Sequence, residues 1–237
     1  MSGQGAPPAG AAVQRGYRRR IALFLASTVL VLAALGAVAW TVTALEQVSA
    51  VEAERDAWQR PKDVLLALEL RKGAVVADIG SGVGYFALKL AERVGPSGRV
   101  LAVDVRRFPL AFLRLRARLR GLRNLEAVHG APDDPHLPAG GVDAVLIANT
   151  FHELEDQERI LGRARDALRP AGRLVVVDPA PSVAVEAPGA GHEHHHDSPD
   201  SAEARLRQSG FEIVSRDDAF LTAPRHGRWW LIVARRP

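Results

Sequence analysis

The stretch VADIGSGVGYFALKLA, residues 76–91, decides how the rest of the chain is read. It opens inside a short apolar run, Ala74–Ile79, which has the length and content of a strand buried on both faces. Gly80, Gly82 and Gly84 follow at once. Glycine lets the backbone turn tightly, and without Cβ atoms a ligand can approach the main chain. From Val83 to Val94, Phe86, Leu90 and Val94 recur on one side of a helix. Asp78 closes the strand. A second strand, Arg99–Asp104, ends in another acid 20 residues after Gly84, where a carboxylate can accept hydrogen bonds from a ribose diol. The dinucleotide pattern G-x-G-x-x-G is not met, because the third glycine comes one position early and Tyr85 stands in its place. A P-loop is excluded as well, since no Lys-Ser/Thr follows the glycines.

Downstream the same grammar repeats. Pro109–Arg120 reads as a helix, Leu125–His129 and Val142–Ala148 as strands, and Gln157–Leu168 as a helix. Arg173–Asp178 is a strand, Ala202–Gln208 a helix, and Phe211–Ser215 and Trp229–Arg235 the last strands. Apolar strands separated by helices predict an α/β fold with a doubly wound, mostly parallel sheet of seven strands. The final two strands have no helix between them and are expected to form an antiparallel hairpin at one edge. Ligands of such sheets bind at the carboxyl ends of the strands, near the point where strand order reverses.

Upstream lies a different kind of segment. Residues 1–20 are expected to be a flexible basic tail. The 25 positions from Ile21 to Leu45 carry no charged residue, enough for a helix to span a hydrocarbon core of roughly 30 Å. Residues 46–60 read as a connector, and Pro61 as the first helical position of a domain covering 61–237. The apolar run has two readings, a retained transmembrane anchor or a signal segment cut after Ala37-Val38-Ala39. Its length before that site exceeds the roughly 7–15 residues of a signal core, which favours the anchor.

The whole chain has 31 Lys+Arg against 27 Asp+Glu, a formal +4, and that excess is Arg15, Arg18, Arg19 and Arg20. The positive charge therefore concerns membrane insertion, and no nucleic-acid partner is expected. Arg114, Arg116, Arg118, Arg120 and Arg123 line one helix, but no aromatic residues interleave with them, and they read as a solvated face. The arginines before the apolar run place the N-terminus in the cytoplasm and the domain outside it. No cysteine is present, which excludes disulfides, thiolate zinc sites and a cysteine nucleophile.

Taken together, VADIGSGVGYFALKLA (76–91), VLAVD (100–104), VDAVLIANTFHEL (142–154) and LRPAGRLVVVD (168–178) resemble the motifs of class I S-adenosylmethionine-dependent methyltransferases. The resemblance covers about residues 58–237 and is strongest toward small-molecule enzymes with GYF after the glycine loop and HEL after the fourth strand. It implies a Rossmann-like fold and S-adenosylmethionine as cofactor. Asp78, Gly80, Ser81 and Gly82 match the loop that holds the methionine moiety, and Asp104 the acid on the ribose hydroxyls. Asp133, in Pro132-Asp133-Asp134, falls where an acid contacts the adenine amino group, although the usual Gly-Asp pair reads Gly130-Ala131 here. Asn149 falls beside the transferred methyl group. Arsenite methyltransferases share this look but need cysteines, so their chemistry is excluded.

Methyl transfer is an in-line displacement for which the enzyme supplies alignment and sometimes a base. His152 and Glu153 are the candidates for substrate contact or proton removal; the alternative for His152 is a packing role in its loop. The acceptor is expected to be a small or apolar molecule near the membrane, a quinone or lipid among them. His192, His194, His195 and His196 form a cluster that reads as a solvated loop, a substrate contact or, least of all, a metal site. Two rival functions stand beside the methyltransferase: a non-catalytic domain that keeps the fold, and a nicotinamide-dependent oxidoreductase. The cofactor is a cytoplasmic metabolite, so its supply sets the domain inside whereas the charge rule sets it outside.

Overall fold

The computed structural model describes residues 9–181 and 197–237. The histidine cluster at 192–196 lies outside the described residues. The chain divides into two units, one ending at Arg55 and one beginning at Asp56.

The first unit is a helix. α1 (Ala9–Trp58) runs for 50 residues without a break, and its last residues belong to the second unit. Tail, apolar run and connector, distinct in composition, thus lie on one helix from Ala9 onward. No proline falls between residues 9 and 60 to interrupt it. Within Leu23–Trp58 a window of mean hydropathy 2.3 is 0% buried. Among the described residues this is the one helix long and apolar enough to cross a membrane; a signal sequence has the same properties. Its hydroxyls are satisfied internally. Thr28 donates to the Phe24 carbonyl at 3.0 Å and Thr41 to that of Ala37 at 2.8 Å, as a helix in a medium without water requires.

The second unit begins with α2 (Pro61–Ala67), with Pro61 in its first turn. Then come β1 (Val75–Ile79), α3 (Tyr85–Val94), β2 (Arg99–Asp104), α4 (Arg107–Leu119), β3 (Leu125–His129) and β4 (Val142–Ala148). A 3-10 turn (Phe151–Glu153), α5 (Gln157–Ala167), β5 (Leu168–Pro179), α6 (Pro199–Gln208), β6 (Glu212–Ala223) and β7 (Gly227–Arg235) complete it. The seven strands form one sheet in the order β3-β2-β1-β4-β5-β7-β6. β1 to β5 pair in parallel, and β7 lies antiparallel between β5 and β6. The expected antiparallel edge is present. The order reverses between β1 and β4, so the loops after these two strands flank the crevice.

Alternation along the strands sorts side chains to two cores. Val76, Ala144, Leu146, Val175 and Val177 meet α2 and α3 on one face. Ala77, Ile79, Val145, Ile147, Leu174 and Val176 meet α5 and α6 on the other.

Several boundaries differ from the sequence reading. α3 begins at Tyr85 rather than Val83, because Gly84 takes φ 97° and acts as the cap. α4 begins at Arg107, with Pro109 tolerated in its first turn. α5 stops at Ala167, and β5 is already pairing at Leu168. The largest difference is β6, expected over 211–215 and extending to Ala223. Its second half carries Arg216, Asp217 and Asp218, which show no apolar alternation. Pairing with β7 holds it in strand geometry, with register shifts after Ile213 and Asp217.

Candidate functional site

The loop after β1 is held from behind by the end of β2. The backbone N–H groups of Gly80 and Ser81 both donate to the Val103 carbonyl at 2.9 Å, and Gly84 N–H closes onto the Ser81 carbonyl at 2.9 Å. Gly82 N–H donates to Asp104 Oδ2 at 2.9 Å. The other carboxylate oxygen, Oδ1, accepts the backbone N–H of Arg106 at 2.8 Å and its Nε at 3.3 Å. A carboxylate offers about four lone-pair positions, so Asp104 braces the loop and keeps capacity for further donors.

The three glycines have different reasons to be glycine. A Cβ on Gly80, at φ +76°, would lie 2.2 Å from Thr150 Cγ2. A Cβ on Gly84 would lie 2.2 Å from Leu113 Cδ1. Gly82, at φ +52°, has nothing within 4 Å of the Cβ position. Gly82 is therefore the position where the main chain stands open to an incoming molecule, whereas Gly80 and Gly84 make room for the protein itself.

Beside this loop lies a cavity of about 230 Å³. Gly80, Asp104, Arg106, Thr150 and Glu153 contribute polar groups to its wall, and Val103, Val105, Pro132, Pro135, Leu154 and Ile160 contribute apolar surface. Of the residues expected from sequence, Gly80, Asp104 and Glu153 meet here. Asp78 is buried at the end of β1. Ser81 is 7% exposed, and its Oγ is buried with no hydrogen-bond partner among the described residues. Asn149, at φ 54°, is exposed, with its N–H on the Val177 carbonyl at 2.8 Å. Asp133 is off the cavity wall and pairs with Arg159 at 3.1 Å; its neighbours Ala131 and Pro132 line the wall instead.

His152 sits one residue before Glu153 and is nearly enclosed, with 11% of its side chain exposed. The Asp178 carboxylate, fully buried at the end of β5, accepts His152 Nδ1–H at 2.9 Å and the His152 backbone N–H at 3.0 Å. This hydrogen bond raises the imidazole above its ordinary value; burial opposes it, and the charges of Asp178, Glu153 and Asp197 add to it. The bond sets the tautomer, leaving Nε2 as the nitrogen able to accept a proton. Glu153 Oε1 lies 3.8 Å from Nε2. Asp197 is itself fixed by three elements: Trp230 Nε1 donates to its carbonyl at 3.1 Å, and Gln157 and Arg205 reach its carboxylate.

Sequence reasoning did not single out Asp178, Thr150 or Arg106. Asp178 had a readable signal: β1, β2 and β5 each bring an aspartate near their carboxyl end, at 78, 104 and 178. Thr150 and Arg106 had none, since their roles come from contacts across the crevice.

The loop fits the cofactor of the class I methyltransferases on two counts. A buried hydroxyl, Ser81 Oγ, is available for a polar ligand group, and the Gly82 backbone faces open space beside an anchored carboxylate.

Comparison with known proteins agrees with this geometry. Residues 70–218 match the model of a family described as a methyltransferase domain. A demethylmenaquinone methyltransferase of Thermus thermophilus is 40% identical over 123 residues, 51% of this chain and 53% of that protein. Nocamycin O-methyltransferase of Saccharothrix syringae is 32% identical over 111 residues, 47% of this chain and 40% of that protein. The chain thus spans about half the length of these relatives or less. A SAM-dependent methyltransferase from Aquifex aeolicus superposes with a TM-score of 0.64 at 24% identity, covering 75% of this chain and 89% of that one. Because the family model spans most of the domain and the fold is shared, the chain belongs to the methyltransferase-domain family and is built as a Rossmann-like methyltransferase.

Proposed function

We propose that this protein transfers the methyl group of S-adenosylmethionine to a small, largely apolar acceptor, with His152 as the proton acceptor. The observation that carries the reading is the glycine loop tied to Asp104 beside the cavity. Asp78, Gly80, Ser81 and Gly82 would hold the methionine moiety, and Asp104 the ribose hydroxyls. The walls at Val103, Val105, Ala131 and Pro132 suit the flat adenine ring, whereas Asp133 lies off the wall, paired with Arg159, and would have to leave that pair to reach the adenine amino group. When bound, the cofactor supplies an activated methyl group.

The chain's own residues supply position and proton transfer. Asn149 and Thr150 follow β4 at the crevice, and Glu153 lines the cavity. His152, oriented by Asp178, can take the proton that a hydroxyl or activated carbon acceptor must lose. An apolar acceptor is supported by the cavity's apolar wall and by the demethylmenaquinone and nocamycin named in the relatives' descriptions. The apolar run of α1 supports a membrane anchor.

The test is calorimetric titration of the full chain with S-adenosylmethionine, followed by transfer of labelled methyl to a lipid extract. One binding site per chain and label in the organic phase are expected. Absence of cofactor binding would overturn the reading.

A further inference from the structure

α4 has a surface that the methyl-transfer site does not use, and it continues into Val105 at the wall of the cavity. At about 100° per residue, Arg107, Arg114 and Arg118 fall on one line along the helix. Phe108, Phe112, Leu115 and Leu119 fall on the line beside it. The opposite side, with Leu110, Leu113, Arg116 and Ala117, is buried against the sheet. The apolar line is uncovered at its two ends and half-buried between them: Phe108 is 67% exposed and Leu119 64%, with Phe112 and Leu115 partly covered, and Val105 in the preceding turn is 51% exposed. Only five large apolar side chains are exposed among the described residues of the second unit, and three of them lie here.

The charge is equally one-sided. From Val105 to Leu125 there are seven arginines and no acidic residue. Arg116 is withdrawn to hold the Val83 carbonyl and Arg114 reaches the Ala127 carbonyl, while Arg107, Arg118 and Arg123 stand exposed. A purely cationic helix suits nucleic acid or solvent. An exposed apolar line directly beside a cationic line is the pattern of a helix lying in a membrane interface, with Phe and Leu among the acyl chains and Arg among the headgroups.

We infer that this face of α4 docks on an anionic lipid bilayer. The inference rests on the reading of α1 as a membrane anchor, which keeps the domain close to such a surface. It also concerns the candidate site, because Val105 and Arg106 line the cavity. Docking through α4 would set the rim of the cavity at the headgroup level, where an apolar acceptor concentrates.

The absence of cysteine allows single spin labels to be placed without background. The full chain would carry a label through Ala111→Cys on the proposed face, Val31→Cys in the apolar run, or Glu158→Cys on α5. One chain per nanodisc would be examined in equal parts phosphatidylglycerol and phosphatidylcholine. The label at 111 is expected to be reachable by oxygen and shielded from an aqueous nickel chelate. Arg107→Glu with Arg118→Glu, or Phe108→Asp, should lower the oxygen-to-nickel ratio several-fold, as should discs of phosphatidylcholine alone. A label at 111 as wet as that at 158, while 31 lies in lipid, would overturn the docking and leave the anchor standing. A wet label at 31 would overturn the anchor and the docking with it. Shielding of 111 from both reagents would mean a protein contact, such as a second copy, and would also overturn it.

Discussion

Asp178 and His152 are joined twice, through the imidazole Nδ1–H at 2.9 Å and through the backbone N–H at 3.0 Å, both to the same carboxylate oxygen. The same carboxylate thus anchors the turn through the backbone and sets the ring tautomer through Nδ1. The pair ties the turn after β4 to the end of β5, next to Thr150 and Glu153, which line the cavity; the His152 ring itself is not part of the cavity wall.

His152→Ala should lower turnover by about a hundredfold or more, the usual range for losing a general base. Affinity for S-adenosylmethionine should stay within about twofold, because the cofactor loop is held by Val103 and Asp104 instead. Turnover kinetics beside calorimetry separate the two; equal losses in both would refute the base role.

Asp178→Asn should move the pH dependence. In the native protein the imidazole is raised above 6.5 by the carboxylate, and a base works only when neutral. Activity should therefore climb with pH through that raised value. In the variant the climb should shift down toward 6.5. Stability follows the opposite sign: a histidine favoured in its charged form stabilises the fold below 6.5 and loses that contribution as pH rises through its folded value. The melting-temperature gap between the native chain and His152→Gln should thus narrow on going from mildly acidic to mildly alkaline buffer.

Gly80 and Gly82 should respond differently to alanine. At Gly80 the new Cβ meets Thr150 at 2.2 Å with φ at +76°, and Thr150 is too short and branched to step aside. A loss of about 1–3 kcal/mol in urea unfolding is expected. At Gly82 the Cβ enters open space with φ +52°, so the stability cost should be about 1 kcal/mol. Cofactor affinity should fall there all the same, because the backbone is no longer open to a ligand.

Asp104→Asn should weaken cofactor binding by about tenfold or more, the worth of hydrogen bonds to a charged acceptor. It also loosens the brace on Gly82, so faster hydrogen exchange at residues 80–84 is the accompanying signature.

Much of this architecture is local and was legible in the residues. Apolar runs ending in Asp78 and Asp104, a glycine turn and helical spacing from Phe86 to Val94 dictate strand, loop and helix because burial and backbone freedom act over neighbouring positions. The apolar length of residues 21–45 is decided in the same way. The second half of β6 was not legible, since Arg216, Asp217 and Asp218 become a strand only through the hydrogen bonds that β7 offers. Nor did composition say that Gly80 is glycine for the sake of Thr150, 70 positions away, or that the Asp178 carboxylate belongs to His152. Those relations exist only once parallel pairing sets β4 between β1 and β5 and brings three strand ends to one crevice. The same folding separates the arginines of α4, burying Arg116 and leaving Arg107 and Arg118 beside exposed Phe108 and Leu119. A sequence records how many charges and apolar groups there are; the packing of one helix face decides which of them meet solvent or lipid.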